Sequence, residues 1–235
     1  MNRNFAHYDE QRNIPWIDGS TRLSPYIRFW IFSIREIYEK IKDNQVLLSE
    51  IIWREFWYHI AYHFPFIYEY EFLERRRNIL WDRDINSSKW KKFEAGETWY
   101  PLVDAAIKQL YETNWMHNRL RMVVASFLTK NLWIDWRIGE KWFKKYLIDY
   151  DEAVNIGNWQ WSASVGADPK PVRIFNPLLQ SERFDPEAVF IKKYLPTLKD
   201  VEPKKIHTLD LEGIYYPPIV DQKDSALEAR NRYKG

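Results

Sequence analysis

Apolar residues recur along the chain at intervals of three and four positions rather than at every second position. This spacing is typical of amphipathic α-helices, whereas a half-buried strand alternates with a period of two. Ser24-Pro25 has the pattern of a helix N-cap followed by its first residue, and Pro101 and Asp185-Pro186 mark two further helix starts. The sequence predicts helical segments at 24–41, about 46–63, 101–110, about 115–133, about 137–148 and from 185 until Pro196 stops the last one.

Glycine and proline concentrate between these segments and predict three loops, at 82–98, 155–177 and 200–221. The second loop is long for a compact domain and contains Trp159, Trp161 and Arg173. Loops of that length are more often functional than not. The chain has no alternation of strands with helices and no internal repeat. We therefore expect an all-α fold in a single domain that covers residues 1–235.

The composition is that of a globular protein, with 46% hydrophobic and 29% charged residues. The chain has no cysteine, which excludes thiol nucleophiles, zinc sites built on cysteine and cysteine-bound iron–sulfur clusters. The 35 Lys and Arg residues nearly balance the 33 Asp and Glu residues, so net charge alone does not indicate nucleic acid. Uncharged apolar stretches of about 18 residues and a signal-peptide pattern are both absent, so we expect a cytoplasmic protein without a membrane span.

Two charged residues, Arg121 and Asp149, fall in segments dense with tryptophan, where either would be costly to bury unpaired. They are either an ordinary structural ion pair or part of a binding site. His117 and Asn118 lie just before Arg121 and supply donors that could hold phosphates or a polar heteroaromatic ring; a solvated basic face is the alternative. Asp149 and Asp151 lack a third carboxylate or histidine at ligand spacing, so no metal site is expected.

Short motifs follow one another along the chain: DGSTRLSPY at 18–26, IWREF at 52–56, YHFP at 62–65, YPLVDAA at 100–106, WMHNRLRM at 115–122, IDWR at 134–137, NWQWSAS at 158–164 and RIFNP at 173–177. In this order they resemble the flavin-binding half of the DNA photolyase/cryptochrome family. The resemblance extends from about Tyr8 to Asp221 and implies a helical FAD-binding domain. The α/β antenna domain that precedes this half in the family is absent from the chain, so no antenna chromophore is expected.

The resemblance implies a U-shaped FAD that is held without a covalent bond and is active as FADH⁻. The residues that match cofactor-binding positions of the family are Tyr8, Ser20, Thr21, Arg22, Leu23, Ser24, Arg54, Trp115, Asn118, Arg121, Asp149, Asp151 and Asn155. Within this set, Ser20, Thr21, Leu23 and Ser24 lie at a predicted helix N-terminus that can receive the pyrophosphate. Arg121 and Asp149 match the pair beside the isoalloxazine, Asp151 matches the carboxylate at its imide edge, and Asn155 matches the residue that faces N5.

The implied reaction is the light-driven repair of cyclobutane pyrimidine dimers in DNA, a carbon–carbon lyase activity. An electron passes from excited FADH⁻ to a dimer that has been flipped out of the duplex. Glu50 matches the acid that contacts the dimer. Trp53, Met122 and Trp161 match the residues that form the walls of the dimer pocket. Arg12, Arg119 and Arg173 match the residues that bind DNA phosphates.

Three tryptophans match an electron relay to the oxidised flavin. Trp159 and Trp136 match its two inner members, and Trp81 is predicted to be the surface member, with Trp90 as the alternative. Together with Glu50 and Asn155, the three relay residues form the predicted catalytic set.

Two motif details distinguish between the types of protein within the family. The sequence HNRLR at 117–121 is similar to the type that repairs cyclobutane dimers, and Asn155 favours repair enzymes over plant cryptochromes. A cryptochrome-like photoreceptor or binding module remains the alternative. Trp30 and Trp99 stand where the family commonly has glycine, which suggests a third possibility, an engineered and truncated scaffold with lost or altered flavin activity. We expect a monomer whose partner is DNA with pyrimidine dimers.

Overall fold

The computed structural model of the chain describes residues 7–168 and 172–234. The regular elements of the described residues are helices, and these residues contain no strand beyond one isolated bridge between Asp82 and Ile134. The all-α prediction is therefore confirmed. The helices are α1 (Tyr8–Gln11), α2 (Ser24–Arg28), α3 (Ile34–Ile41), α4 (Gln45–His63), α5 (Ser88–Ala95), α6 (Pro101–Thr113), α7 (Asn118–Ser126), α8 (Trp136–Tyr146), α9 (Glu152–Ser162), α10 (Pro177–Phe184), α11 (Val189–Tyr194), α12 (Pro203–Thr208) and α13 (Gln222–Arg232).

The main hydrophobic core lies around α6, which is buried on almost every face. Pro101 occupies the first turn of this helix, as predicted, where a missing N–H costs nothing. Val103, Ile107 and Leu110 are fully buried, and each such side chain contributes roughly 1.5–3 kcal/mol by leaving water. Helices α5, α7, α10 and α11 pack against α6, and α9 packs against α7 and α8. The core therefore forms a rigid frame for the side chains that α7 and α9 present.

A second, much smaller core holds the N-terminal part of the chain. Its buried members are Ile37, Ile41 and Leu47, with Ile27 and Ile51 packed against them. Helix α4 contributes to this small core with Leu47 and to the main core with Ala61. Because α4 also packs against α9, it joins the two parts of the molecule.

The predicted helix at 24–41 is wrong as a single element, because it is divided into α2 and α3. Trp30 has a left-handed backbone with φ of 59°, which ends α2, and Ser33 begins α3 with a complete capping box. Ser24 is also not the N-cap that the sequence predicts, because that position belongs to Leu23. The Ser24 hydroxyl instead donates a hydrogen bond to Asp149.

Two other predicted helices have different starts. The segment predicted from about 115 begins at Asn118 and widens into a π-helical turn at Phe127–Asn131. The helix predicted from 185 begins at Val189, because the Asp185 carboxylate stays outside it and accepts hydrogen bonds from the Phe190 and Ile191 amides. The predictions at about 46–63 and about 137–148 hold to within a few residues.

The three predicted loops are partly wrong, since each contains a helix: α5, α9 or α12. In α9, Asp151 caps the first turn by accepting from the Val154 amide, and Gly157 is placed by packing rather than by a turn. A Cβ at Gly157 would lie 2.3 Å from the Trp57 ring, so glycine here lets α4 and α9 approach. Of the predicted 155–177 loop, residues 169–171 lie outside the described residues. Within the described part, no helix is both long and apolar enough to cross a membrane.

Candidate functional site

A cavity of about 480 Å³ opens between α2, α3 and α4 on one side and α7 and α9 on the other. Its volume is in the range that small-molecule and cofactor sites occupy. All of the predicted cofactor-binding residues except Asn155 line it. Residues that are more than a hundred positions apart in the chain therefore meet around one space. Among the described residues, no cluster of three His, Asp or Glu side chains is arranged to hold a metal ion.

The predicted pair of Arg121 and Asp149 lies at the wall of this cavity. Arg121 Nη2 donates to Asp149 Oδ2 over 2.8 Å, and Arg121 Nε donates to the Met116 carbonyl over 2.8 Å. Ser24 Oγ donates to the same Asp149 oxygen over 2.6 Å. The Asp149 side chain is 1% exposed, and its other oxygen, Oδ1, has no hydrogen-bond partner among the described residues. An acceptor left unpaired inside a protein is costly, so this atom suits a ligand that brings a donor.

His117 contributes the complementary group. Its Nδ1 accepts a hydrogen bond from the Arg119 amide, which places the ring proton on Nε2. Burial, followed by the positive charges of Arg119 and Arg121, lowers the pKa of His117 to about 4, so the ring is neutral near pH 7. Nε2 has no partner among the described residues, and His117 lines the cavity. The wall thus carries one unpaired donor and one unpaired acceptor.

A second carboxylate, Asp151, lies farther along the same wall. The Tyr58 hydroxyl donates to Asp151 Oδ2, and Arg54 lies 3.9 Å from that oxygen with its guanidinium 4.4 Å from the centre of the Tyr58 ring. Burial, together with the Asp151 carboxylate, raises the pKa of Tyr58 to about 12 and keeps it a hydrogen-bond donor. Arg54 and Asp151 are both about one-fifth exposed, so they can still meet a ligand.

The mouth of the cavity carries the residues predicted to meet a DNA lesion. Arg12 and Glu50 form an ion pair there, and each is about one-third exposed. Trp53 is half exposed and stacks on Trp57 with ring centres 6.2 Å apart. Met122 and Trp161 line the same cavity. The mouth therefore combines flat apolar walls with a carboxylate.

The other two predicted DNA-binding arginines lie outside the cavity lining. Arg119 donates from Nη2 to Asn13 over 2.7 Å and packs on Phe184, and burial lowers its pKa. Arg173 pairs with Asp168 at 2.7 Å and lies 4.6 Å from the Trp161 ring centre. Arg173 is thus beside the mouth, whereas Arg119 is mostly engaged in joining α7 to the N-terminal part.

Asn155 also does not line the cavity. Its side-chain nitrogen donates to Glu140 Oε1 over 3.2 Å, and Tyr150 donates to the same carboxylate oxygen over 2.7 Å. The position of Asn155 is thus set by Glu140, a buried residue that the sequence analysis does not identify. Nothing in the spacing marks Glu140, because it lies fifteen residues away on another helix.

The predicted relay tryptophans are all buried. Trp159 packs against Phe143, and Trp136 donates from Nε1 to Glu71 over 3.2 Å. Trp81 and its alternative Trp90 are 8% and 7% exposed, so neither side chain lies open on the surface, and the identity of the outer relay residue stays a prediction. Trp81 is covered because Trp133 stacks on it at 4.9 Å.

The apolar wall of the cavity was not predicted from the sequence. This wall consists of Ile27, Ile37, Ile41, Leu47, Ile51 and Trp57. Leu47, Ile51 and Arg54 follow one another at helical spacing on α4, so the signal was present but is indistinguishable from that of an ordinary core face.

Comparisons with known proteins identify the family of the chain. The family model described as the FAD binding domain of DNA photolyase matches residues 47–235. The deoxyribodipyrimidine photo-lyase of Buchnera aphidicola is 44% identical over 253 residues, which is 98% of this chain and 51% of that protein. The Synechococcus protein of the same name is 43% identical over 237 residues, which is 93% of this chain and 48% of that protein. The chain spans about half the length of these relatives.

Solved structures of photolyases and a cryptochrome are also similar to this chain. A photolyase from Sulfolobus tokodaii, described with two FAD molecules, matches 99% of this chain and 54% of that one at 39% identity, with a TM-score of 0.93. A cryptochrome from Synechocystis matches 97% of this chain and 52% of that one at 33% identity, with a TM-score of 0.88. On the family match and these identities, the chain belongs to the family of the FAD-binding domain of DNA photolyase.

Proposed function

We propose that this chain binds FAD in the cavity and uses its reduced form, FADH⁻, to repair pyrimidine dimers in DNA under light. The observation that carries the proposal is the cavity itself, which gathers the predicted cofactor residues around an unpaired donor at His117 and an unpaired acceptor at Asp149. A flavin offers both hydrogen-bond donors and acceptors on one flat ring, and it therefore fits this wall. The volume and the apolar side formed by α3 and α4 also fit a large heteroaromatic group.

The residues present suggest how the cofactor would be held. Hydroxyl groups of Ser20 and Thr21 lie at the cavity with Arg22, and these groups suit a pyrophosphate. Helix α2 has only five residues, so its dipole adds little and the side chains must carry most of this contact. Trp115 lies beside them, with the Arg22 guanidinium 4.8 Å from its ring centre.

Arg121 would keep a positive charge next to the bound ring. Asp149 and the Met116 carbonyl fix its guanidinium from two sides, so the charge stays in place whether or not a ligand is bound. A fixed cation in a site with little water favours an anionic ligand over a neutral one. Arg121 would therefore stabilise a reduced, anionic flavin, which when bound and excited by light supplies one electron.

The mouth residues would receive the lesion. A dimer must leave the base stack to reach a buried ring, and flat walls such as Trp53 and Trp161 can replace the lost stacking. The Glu50 carboxylate would meet the polar edge of the flipped bases. Arg12 and Arg173 lie near the mouth and can meet phosphates, which gives a chain with a net charge of +2 a local positive surface.

The test is a repair assay on the purified chain. The protein is loaded with FAD, reduced chemically and mixed with an oligonucleotide that carries one thymine dimer, in the light and in the dark. We expect dimers to disappear only in the light, and Glu50→Gln to slow the reaction by roughly tenfold or more. Trp16→Ala, at an exposed position outside the cavity, is the matched control and should not change the rate. Intact dimers after illumination of protein with bound, reduced flavin would refute the repair activity.

The similarity to a cryptochrome gives one second candidate, a flavin photoreceptor without repair. The same assay separates the two functions, because a photoreceptor would change its flavin absorption in the light and leave the dimer intact. The presence of Glu50, Met122 and Trp161 at the mouth supports repair.

A further inference from the structure

We propose that two buried side chains, Ser126 and Lys130, position Arg173 for contact with DNA phosphate. They form what we call the Ser126–Lys130 clasp, which holds the segment 173–175 against Trp161. The inference rests on the proposed function, since it concerns how the mouth of the cavity recognises DNA. It assigns a role in substrate recognition to two side chains that do not themselves line the cavity.

The two members of the clasp lie one helical turn apart. Ser126 ends α7, and Lys130 belongs to the π-helical turn that follows it. Lys130 Nζ donates a hydrogen bond to the Arg173 carbonyl, and Ser126 Oγ accepts one from the Phe175 amide over 3.1 Å. Both members are buried, with Ser126 at 0% and Lys130 at 2% exposure. Two side chains of the core therefore fix two backbone groups of one short segment.

The segment held by the clasp carries the side chains that pack on Trp161. The Arg173 guanidinium lies 4.6 Å from the centre of the Trp161 ring, and the centre of the Phe175 ring lies 6.4 Å from it. Trp161 lines the cavity, so the position of the segment sets one wall of the mouth. The Arg173 side chain is 41% exposed and can meet a phosphate outside the cavity. A shift of the segment would therefore move a flat wall and a cation together.

Lysine is an unfavourable residue for a core position, because removing an ammonium group from water is costly. Burial, followed by the charge of Arg173, lowers the pKa of Lys130 to about 7, and the Asp168 carboxylate opposes this shift. A methionine would fill a similar space without that cost. What the lysine supplies is an N–H donor long enough to reach the Arg173 carbonyl. An amine donates in its charged and in its neutral form, so this contact persists on both sides of pH 7.

The guanidinium of Arg173 is held as well as its backbone. Arg173 Nη2 pairs with Asp168 Oδ2 at 2.7 Å, while the other contact of the guanidinium is the face of the Trp161 ring. The side chain is therefore ordered before DNA arrives. A long side chain that is already ordered loses less conformational entropy on binding than a mobile one does. The clasp thus favours the binding of DNA without touching it.

The test is the affinity of the FAD-loaded chain, in the dark, for an oligonucleotide that carries one thymine dimer. Lys130→Met keeps the length of the side chain and removes the donor, and we expect the Kd to rise by about fivefold or more. The repair rate at saturating DNA should stay within about twofold of the original rate, because the clasp does not touch the reacting atoms. Lys199→Met, which removes an exposed lysine outside the cavity lining, is the matched control and should leave the Kd within about twofold.

A double-mutant cycle shows whether the clasp acts through Arg173. Arg173→Ala should itself raise the Kd, and adding Lys130→Met should raise it little further, because the guanidinium that the clasp positions is then absent. Arg173→Ala and Lys130→Met should also each lower the dependence of affinity on salt. Additive effects of the two substitutions would overturn the proposal, as would an unchanged Kd for Lys130→Met at full flavin content.

A second variant covers the case in which Lys130→Met folds poorly. Ser126→Ala leaves the lysine in place and removes the bond to the Phe175 amide. It should raise the Kd and speed amide hydrogen exchange in residues 172–176, and an unchanged Kd would then overturn the proposal. Failure of the unsubstituted chain to repair the dimer in the light would refute the proposed function. Intact repair with unchanged affinity in the clasp variants would refute the clasp alone.

Discussion

The two sides of the cavity are built differently. The side formed by residues 45–168 and 172–234 is a large helical core, whereas residues 7–44, the N-terminal region, bury little more than Ile37 and Ile41 and expose Trp30 to 84%. The N-terminal region is instead tied down by polar bonds across the cavity. These are Arg12 to Glu50, Ser24 to Asp149, Arg28 to the Tyr150 carbonyl and Arg119 to Asn13.

This difference indicates that the helical core forms without a ligand and that the N-terminal region depends on what the cavity holds. Segments with few buried apolar contacts open at lower free energy than the core does. A ligand that contacts both sides stabilises the less stable N-terminal region against opening by its binding free energy. The match to the family model begins at residue 47, close to the same boundary.

The largest effect is expected from removing the central carboxylate. Asp149→Ala leaves Arg121 as a half-buried, unpaired cation and frees Ser24, so we expect a loss of about 3–5 kcal/mol of unfolding free energy in urea. Asp200→Ala breaks an exposed pair with Lys199 and should cost less than about 1 kcal/mol. Equal costs for the two variants would mean that Asp149 does not join the two sides.

Two leucines distinguish the cores. Leu110→Ala, in the main core, should lower the global unfolding free energy by about 2–5 kcal/mol. Leu47→Ala, in the small core, should instead speed proteolysis within residues 7–44 and change global unfolding less. If Leu47→Ala lowers the global unfolding free energy as much as Leu110→Ala does, the two cores do not differ in the way proposed.

The buried side chain of His117 makes the stability of the folded chain depend on pH. The pKa of His117 is near 4 in the folded chain and near 6.5 when unfolded, so only the unfolded chain takes up this proton between those values. Stability is therefore lost as the pH falls from about 6.5 to 4, by up to about 3 kcal/mol at roughly 1.4 kcal/mol per pKa unit. His117→Asn keeps a capping side chain and should remove this loss. Asp104, whose pKa burial raises to about 6, titrates in both proteins and cancels in the difference. Parallel pH curves for the two proteins would contradict the assignment.

The smallest effect concerns two tryptophans with a left-handed backbone. Trp30 has φ of 59° and is exposed, so Trp30→Gly should relieve strain and stabilise the chain by about 1 kcal/mol. Trp133 has φ of 62° but is buried against Trp81, so Trp133→Gly should destabilise it through lost packing. Thermal unfolding of both variants checks the signs. A destabilising Trp30→Gly would show that this side chain packs on something that matters to the fold.

The sequence could predict features that local spacing encodes, but not those that depend on distant contacts. Helices α4 and α6 were predicted because their apolar spacing and Pro101 act locally. The break at Trp30 was missed because a tryptophan gives no sign of a left-handed turn, and α9 was missed because its Gly157 serves packing against Trp57.

For the site, the sequence located most of the polar and aromatic residues that line the cavity, but not its apolar wall. The motifs could not predict where a side chain points when a residue far along the chain holds it in place. Asn155 is held by Glu140 and Arg119 by Asn13, and both contacts join separate parts of the chain. The same limit explains Trp81, whose burial depends on the stacking of Trp133.

Amide hydrogen exchange of the purified chain with and without FAD tests whether the ligand joins the two sides. We expect FAD to slow exchange most strongly in residues 7–44 and at the cavity wall around Asp149, while α6 is slow in both states. Uniform exchange in the two states, or protection confined to residues outside the cavity, would contradict the claim that the ligand joins the two sides.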